Sequence, residues 1–289
     1  MELRTLRYFV AVAEELHFGR AAARLHMTQP PLSRAIRQLE TDLGCELLRR
    51  SPTGVTLTPS GEQLYDEART LLAQADQARL RVASATPTLT VGTLADSAQQ
   101  MGARLSAAYR ERHPTVRVRI READLTDPAA GLRAGLVDVA LTRAPFDDAG
   151  ITTRVLRSDP VGVILRTDDP LAARERLRGD DLAGRRWFRF PDGTDPVWRA
   201  FWTDPCGLGV PETGVGDGPV IRTVHECVQS VLWDGTVGLT PLPAHLPAGL
   251  TAVPVTGAPP SDLVIAWNSD RTTPLVRSFV RITTALLGQ

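Results

Sequence analysis

Apolar residues in the first 58 positions recur at helical spacing in three short segments. The spacing predicts helices over residues 3–16, 19–25 and about 30–40, each with one apolar face. A break at residues 26–29 separates the second helix from the third. Thr28 is placed to cap the third helix, and the prolines after it suit the first turn, where an N–H has no intrahelical partner. This pattern favours a helix-turn-helix.

The segment after the third helix predicts a β-hairpin. Gly44 is placed to end the helix, and residues 51–54, Ser-Pro-Thr-Gly, predict a turn between two short extended pieces. Arg49 and Arg50 stand at the base of this hairpin. Three helices followed by a basic hairpin are typical of a winged helix-turn-helix, which we assign to residues 1–58. An ordinary αα-hairpin with a solvated basic face is the alternative when the helices are considered alone.

Charge is unevenly distributed along a chain that is neutral as a whole. The 289 residues include 33 Lys+Arg and 33 Asp+Glu, so we do not expect the whole chain to bind polyanions non-specifically. Residues 20–37, however, hold four arginines and no acid. Arginine suits bidentate contacts to phosphate and guanine. The predicted helix-turn-helix is therefore a basic element, which favours DNA as its partner.

The third helix and its flanks carry the candidate DNA contacts. Arg34 is the best candidate for a base edge, because Arg reaches O6 and N7 of guanine together, and Gln29 suits adenine. Arg24 is not included among the candidate DNA contacts, because it has an alternative ion-pair partner in Glu14 or Glu40. Thr28, Ser33 and Arg20 suit phosphate. The full candidate set is Arg20, Thr28, Gln29, Pro31, Ser33, Arg34, Arg37, Arg49 and Arg50.

The first 87 or so residues resemble the N-terminal part of LysR-type transcriptional regulators. The resemblance rests on three stretches, LRYFVAVAEELHFGRAAARLHMTQPPLSRAIRQLE, LGCELLRR and TGVTLTPSG. The rest of the chain matches the family's effector domain in layout, with weaker local motifs. The resemblance implies an α+β multidomain protein with a winged helix-turn-helix, a long linker helix, and a two-lobed α/β effector domain of type 2 periplasmic-binding-protein fold.

Residues 59–87 predict a linker or dimerisation helix and a hinge. Thr58-Pro59 is a helix-start signal, and residues 84–88 break the helix. Between these two signals, small and apolar side chains follow a heptad spacing. Because the winged domain leaves no obvious partner for this seam, we expect it to pair antiparallel with its twin in a dimer, as the family does. Packing on its own domain is the alternative. The seam residues are Leu64, Ala68, Leu71, Ala75, Ala78 and Val82.

Strands and helices alternate along residues 88–289, which favours parallel α/β sheets. From the family's layout we expect lobe I at 88–162 plus 266–289 and lobe II at 163–265. The predicted strands lie at 89–92, 116–120, 137–142, 151–156, 161–165, 187–190, 237–240 and 263–267, and the predicted helices at 97–112, 126–136, 225–233 and 274–287.

Effector contacts are expected at strand ends, close to helix N-termini that favour anions. Arginines at strand ends favour an anionic effector, whereas Asp96 disfavours one unless it caps the helix at Ser97. Arg143 is placed to pair with an effector carboxylate. Each candidate has an alternative as a surface or structural residue. The resemblance implies Thr93, Ser97, Leu125 and Thr126. Arg143 follows a predicted strand, and the second lobe adds the candidates Arg189, Thr223, His225 and Thr240.

Enzyme and redox chemistry are not favoured. The sequence has no GxSxG, HExxH or P-loop, and the glycine-rich residues 213–218 neither follow a convincing strand nor open a helix. We therefore expect no catalysis, cofactor or metal. Cys45, Cys206 and Cys227 show no metal-ligand spacing. Separately buried thiols are preferred over a redox pair of Cys206 and Cys227. Four tryptophans, 187, 198, 202 and 233, are candidates for the cleft or for the core.

We therefore expect a cytoplasmic, dimeric or tetrameric transcription regulator that responds to a small-molecule effector. Its expected partners are double-stranded DNA with an interrupted inverted repeat, the effector, a second copy of itself and RNA polymerase. No membrane contact is expected, because no run of about 20 apolar residues occurs. The alternative is a solute-binding or transport-associated two-lobed protein, which the helix-turn-helix and the absent secretory signal disfavour. An enzyme with an added DNA-binding domain is a third reading.

Overall fold

The chain divides into two compact units, Met1–Ala85 and Thr86–Gln289. The computed structural model describes residues 1–51, 54–83, 86–94, 102–203 and 218–288. Within these residues no helix is long and apolar enough to cross a membrane.

The first unit is a winged helix-turn-helix with a long helix attached, as predicted. Its core holds fully buried side chains from all three short helices, among them Phe9, Ala21 and Ile36. The third helix ends at Gly44, whose φ of 70° is in the left-handed region. The elements are α1 Leu3–Glu15, α2 Phe18–Arg24, α3 Gln29–Leu43, β1 Leu48–Ser51, β2 Gly54–Leu57 and α4 Pro59–Ala83.

The seam along α4 is divided between two environments. Ala68 is fully buried in the core of its own unit, and Leu64 packs against that core. Leu71 is 37% exposed and Val82 is 89% exposed. The expectation that the winged domain offers this seam no partner is therefore wrong for the first part of the helix, which packs on α1. The later part remains uncovered within the unit.

The second unit contains two sheets, one in each lobe. The larger sheet has the strand order β4-β3-β5-β10-β6, and the smaller has the order β8-β7-β9. The elements are β3 Thr88–Thr93, α5 Ala103–Arg112, β4 Arg117–Glu122, β5 Val139–Ala144, β6 Ile151–Asp159, β7 Val161–Arg166, α6 Pro196–Thr203, α7 Val224–Asp234, β8 Gly238–Pro241, β9 Leu250–Pro254, β10 Ser261–Asn268 and α8 Pro274–Leu287.

The prediction of parallel sheets is correct only in part. β3 is parallel to β4 and β5, but β10 is antiparallel to β5 and β6. All ladder pairs of the smaller sheet are antiparallel. The physical reason is the connectivity: the chain leaves the first lobe after β6 and re-enters it through β10, which runs against its neighbours.

The lobe boundaries also differ from the prediction. β7 starts the smaller sheet at Val161, directly after Pro160, and the whole of β10 from Ser261 lies in the larger sheet. The second crossover therefore precedes Ser261 rather than lying near residue 266. A boundary placed at residue 266 cuts through the middle of one continuous apolar strand.

The predicted helix at residues 126–136 is absent, because this segment consists of turns. Ala130 and Gly131 have φ angles of 52° and 89°, which an α-helix does not allow. The Asp127 carboxylate accepts a hydrogen bond from the backbone N–H of Gly131 at 2.7 Å and so closes the turn. The periodicity missed α6 and β9, both of which are short.

Candidate DNA interface and ligand cavity

Two arginines of α3 lie on the face opposite the core. Leu32, Ile36 and Leu39 form the buried stripe of this helix. At 3.6 residues per turn, Arg34 and Arg37 lie on the other side, and both are exposed. Among the described residues neither arginine has an ion-pair partner. The helix thus presents two adjacent cations to solvent.

The start of α3 leaves polar groups exposed. Thr28 occupies the N-cap position, but its side chain makes no capping hydrogen bond, contrary to the expectation. Thr28 and Gln29 are both exposed, whereas Pro31 and Ser33 are half-buried on the flanks of the helix. Exposed side chains at this end of α3 have the position from which recognition helices reach base edges.

The arginines of α2 are anchored to the end of α1. Arg24 Nη1 lies 2.6 Å from a carboxylate oxygen of Glu14, which is one of the two partners considered from the sequence. Arg20 donates through Nη2 to the backbone carbonyl of Glu15, and its Nε lies 3.4 Å from the Glu15 carboxylate. Arg20, which was expected to contact phosphate, bonds to Glu15 in its own unit while its side chain stays 62% exposed.

A histidine that the sequence analysis overlooked caps α2. His17 Nδ1 accepts hydrogen bonds from the backbone N–H groups of Gly19 at 3.0 Å and Arg20 at 3.2 Å. An imidazole can accept in this way only when Nδ1 carries no proton. The signal available in the sequence is a polar side chain directly before an Ala-rich helix, although histidine is an uncommon N-cap.

Hydrogen bonds from two helices fix the base of the wing. Glu40 in α3 accepts the N–H groups of Leu47 at 3.0 Å and Leu48 at 3.2 Å. Thr58 donates its own N–H to the carbonyl of Leu47 at 3.0 Å, and its hydroxyl caps α4 as predicted. Arg49 is exposed on the wing strand β1. The side chain of Arg50 lies outside the described part of the chain.

A cavity in the second unit brings part of the predicted effector set together. The space inside it is small, about 60 Å³, which is below the usual range of small-molecule sites. Leu125 and Arg143 reach it from the larger-sheet lobe and Thr240 from the smaller-sheet lobe. The lining is mostly apolar and rich in aromatic side chains, namely Phe188, Phe190, Trp198 and Trp202.

Arg143 already has a carboxylate partner within the protein. Its Nη1 lies 3.0 Å from Asp159 Oδ2, and Arg157 Nε binds the other oxygen of Asp159 at 2.6 Å. Burial raises the pKa of the Asp159 carboxyl, but hydrogen bonds from Arg157 and Arg143 outweigh burial, and the pKa lies below its ordinary value. The expected pairing of Arg143 with an effector carboxylate must therefore share this guanidinium with Asp159.

The remaining effector candidates do not line this cavity. Three of them make local structural bonds: Thr93 is fully buried and bonds to the Leu94 carbonyl, Thr126 bonds to Asp124, and Thr223 caps α7. The other two described candidates, Arg189 and His225, are exposed. Ser97 and Asp96 lie outside the described residues.

One cysteine lines the cavity and is not poised for redox chemistry. Cys227 is buried, and burial raises the pKa of its thiol to about 12. The reactive thiolate form is therefore disfavoured at neutral pH. Cys45 is exposed, and Cys206 lies outside the described residues, as do residues 213–217 of the glycine-rich segment. Within the described chain no three metal-ligating side chains cluster.

Two models of known families match the chain. The one described as "Bacterial regulatory helix-turn-helix protein, lysR family" matches residues 3–62. The one described as "LysR substrate binding domain" matches residues 83–287. The first match contains the helix-turn-helix and the wing, and the second contains both sheets of the second unit.

Individual proteins give the same result. The Hca operon transcriptional activator HcaR of Escherichia coli (strain K12) is 31% identical over 290 residues, which are 98% of this chain and 97% of HcaR. The regulator AlsR of Bacillus subtilis (strain 168) is 35% identical over 187 residues, which are 63% of this chain and 62% of AlsR. The crystal structure of CbnR, a LysR family transcriptional regulator, has a TM-score of 0.67 at 22% identity, and each chain is covered completely, so the fold is shared.

Proposed function

The chain belongs to the LysR family of bacterial transcriptional regulators, and from this premise we propose how it divides its two binding activities among its residues. It is a DNA-binding transcription regulator with an effector-binding domain. Because its relatives are named as regulators and activators, we assign it no catalytic reaction. We expect it to act in the cytoplasm, where its partners are chromosomal DNA and RNA polymerase.

We propose that α3 enters the major groove with Arg34 and Arg37 facing the DNA. The main support for this proposal is that these two exposed cations lie opposite the buried stripe of α3 and have no ion-pair partner among the described residues. Thr28 and Gln29 add polar contacts at the start of the helix, with Pro31 and Ser33 on its flanks. Arg49 and Arg50 contact phosphates from the wing. Arg20 binds Glu15, so we assign it to positioning α2.

The exposed seam on the later part of α4 is the proposed surface for self-association. The later part of α4 exposes Leu71 and Val82, and Ala78 between them is exposed as well. An apolar seam of this kind suits an antiparallel pairing with α4 of a second copy. A two-fold homodimer, alone or within a tetramer, matches the symmetry of an interrupted inverted repeat.

The effector is proposed to bind in the cavity that contains Leu125, Arg143 and Thr240. The cavity is concave and largely apolar and receives side chains from both lobes, which is typical of small-molecule sites. An effector that binds one lobe arrangement better than another shifts the population toward it and so changes how the dimer holds DNA. The guanidinium of Arg143 in the cavity lining favours an anionic effector.

Fluorescence anisotropy with the DNA upstream of the protein's own gene tests this function. We expect binding that resists a random-duplex competitor and weakens with salt, because phosphate contacts release counterions. Repeating the titration with a pool of metabolites should change the affinity or the stoichiometry. Equal affinity for the specific and the random duplex, with and without metabolites, would refute the proposed function as a sequence-specific regulator.

A further inference from the structure

An aspartate at the start of α6 binds groups from both lobes of the second unit. Asp195 directly precedes α6, and its Oδ1 accepts hydrogen bonds from the backbone N–H groups of Val197 at 3.0 Å and Trp198 at 2.9 Å, as an N-cap does. The same carboxylate also accepts the backbone N–H of Asp147, which lies 3.1 Å from Oδ2 and 3.3 Å from Oδ1. Asp147 lies between β5 and β6 in the larger-sheet lobe, whereas α6 packs on β8 of the smaller sheet.

An arginine of the larger-sheet lobe completes this contact. Arg133 Nη2 lies 3.3 Å from Asp147 Oδ2 and 3.9 Å from Asp195 Oδ2. The guanidinium is therefore shared by two carboxylates that belong to different lobes and that repel each other without it. We call the three residues Arg133, Asp147 and Asp195 the interlobe bridge.

Capping alone does not account for a carboxylate at position 195. An N-cap needs one acceptor atom, which serine or asparagine supplies about as well as aspartate. The second oxygen of Asp195 is the one that binds across the lobe boundary. The Asp195 side chain is only 10% exposed, so water competes little for this contact. One carboxylate thus fixes both the start of α6 and its position relative to the other lobe.

A backbone hydrogen bond joins the lobes at the cavity itself. The N–H of Leu125, which lines the cavity from the larger-sheet lobe, donates to the carbonyl of Arg222 at 2.7 Å. Arg222 lies just before α7, which packs on β7 of the smaller sheet. In this arrangement of the lobes the space inside the cavity is about 60 Å³, whereas small-molecule sites usually measure about 300–1,000 Å³. A ligand of ordinary size therefore enters only when the walls of the cavity move apart.

The bridge is connected to one of those walls. Trp198 and Trp202 of α6 line the cavity, and Asp195 caps the helix that carries them. We propose that the interlobe bridge controls how far the cavity opens, and that Asp195 is its positioning residue. Breaking its contact with Asp147 and Arg133 favours separation of the lobes, while the cap of α6 stays in place. This inference concerns regulation of the effector cavity, and it rests on the proposed function only in assigning the effector to that cavity.

The thiol of Cys227 reports the opening of the cavity. Cys227 lines the cavity and is 6% exposed, so a thiol reagent reaches it when the walls separate. The full-length protein is treated with N-ethylmaleimide for increasing times and then digested with a protease. Mass spectrometry of the peptide that contains Cys227 gives its modification rate separately from that of the exposed Cys45.

Two variants remove the bridge in different ways. Asp195→Ser keeps a capping acceptor for α6 but removes the carboxylate that binds Asp147, and it should accelerate modification of Cys227 about fivefold or more. Arg133→Gln leaves the cap untouched and removes a partly exposed ion pair, so a smaller acceleration of about twofold is expected. Unchanged Cys227 rates in both variants would overturn the proposal.

A second capping aspartate in the same lobe is the matched control. Asp169 accepts the N–H of Leu171 at 2.9 Å at the start of a short 3-10 helix and pairs with Arg185 at 2.6 Å, and both partners belong to its own lobe. Asp169→Ser therefore loses a cap carboxylate and an ion pair without touching the lobe boundary. Its Cys227 rate should equal that of the wild type, and an acceleration like that of Asp195→Ser would overturn the assignment.

Stability and DNA binding separate the bridge from other roles. Urea denaturation of each variant gives the free energy of unfolding, because global unfolding also exposes Cys227. An acceleration that only matches the loss of global stability would show a structural role and overturn the proposal. The Cys227 measurement does not involve DNA. Unchanged Cys227 rates together with specific DNA binding by the wild type refute the bridge alone, whereas absent specific DNA binding refutes the proposed function.

Discussion

The guanidinium of Arg143 and the carboxylate of Asp159 form a buried ion pair, with Nη1 and Oδ2 3.0 Å apart. Asp159 is the last residue of β6, where the chain leaves the larger-sheet lobe. The same Nη1 lies 3.4 Å from the carbonyl oxygen of Ser261, the first residue of β10, where the chain returns. One side chain on β5 therefore contacts both crossovers between the lobes and also lines the cavity. A ligand that competes for this guanidinium acts directly where the lobes are joined.

Removing the carboxylate should destabilise the second unit strongly. In Asp159→Asn both Arg143 and Arg157 lose the charge of this buried carboxylate, and breaking a buried pair in this way costs about 3–5 kcal/mol. Urea denaturation followed by circular dichroism measures the free energy of unfolding. Asp168→Asn is the matched control, because Asp168 pairs with Arg166 at 2.5 Å on an exposed surface and should contribute little. Similar effects of the two substitutions would contradict the importance of the buried pair.

The same carboxylate predicts a pH dependence. Because the pKa of Asp159 is lowered in the folded protein, folding favours its ionised form. Its contribution is complete above the unfolded pKa of about 3.9 and is lost as the pH falls through the lower, folded value. The stability difference between the wild type and Asp159→Asn should be constant near neutral pH and shrink below about pH 4. Denaturation at a series of pH values checks this, and a difference that persists unchanged to pH 3 argues against it.

Arg34 should contribute to specific DNA affinity without supporting the fold. Arg34→Ala is expected to weaken binding to the specific site by about 1–3 kcal/mol and to relax the preference for one base pair. The side chain is exposed, so the melting temperature should not change. Anisotropy titrations against the specific and a random duplex measure both effects. Arg174→Ala, an exposed arginine of the second unit, is the control. Unchanged specific affinity would remove Arg34 from the interface.

Local signals predicted the first unit well. Capping and terminating residues mark the boundaries of its helices. Gly44 ends α3 in a left-handed conformation, and the Thr58 hydroxyl caps the start of α4. These signals act within one turn of helix and need no knowledge of the tertiary fold. His17 escaped notice because histidine is a rare cap, although its position before α2 is the usual one.

Contacts between distant segments were not predictable in this way. Asp159 is 16 residues from Arg143, and no local pattern indicates that the two side chains meet inside the protein. From the sequence, Trp198 and Trp202 were candidates for either the ligand cleft or the core. Only the assembled fold shows that they line a cavity. The antiparallel course of β10 likewise follows from two crossovers between the lobes, which periodicity does not reveal.

A close backbone approach at Gly61 predicts a second stability effect. A Cβ atom at this position would lie 2.1 Å from the carbonyl oxygen of Leu47, which belongs to the backbone at the base of the wing. Gly61→Ala must therefore displace α4 or the wing and should destabilise the first unit by about 1–3 kcal/mol or more. Gly44→Ala is the comparison, since nothing lies within 4 Å there and only its φ of 70° opposes a side chain. Thermal unfolding should place Gly61→Ala well below Gly44→Ala, and the reverse order would contradict the packing argument.

The exposed part of α4 predicts how the protein associates. Leu71 is 37% exposed and Val82 is 89% exposed, although both belong to the same seam as Ala68, which is buried in the core. Replacing both with serine should shift the dimer toward monomer, because each copy loses apolar area that pairing would bury. Multi-angle light scattering across a concentration series measures the shift, and DNA affinity should fall with it because two half-sites are no longer held together. Leu43→Ser, at the 41% exposed end of α3, is the control for a general effect of removing surface apolar groups. A double variant that stays dimeric at every concentration would place the self-contact elsewhere.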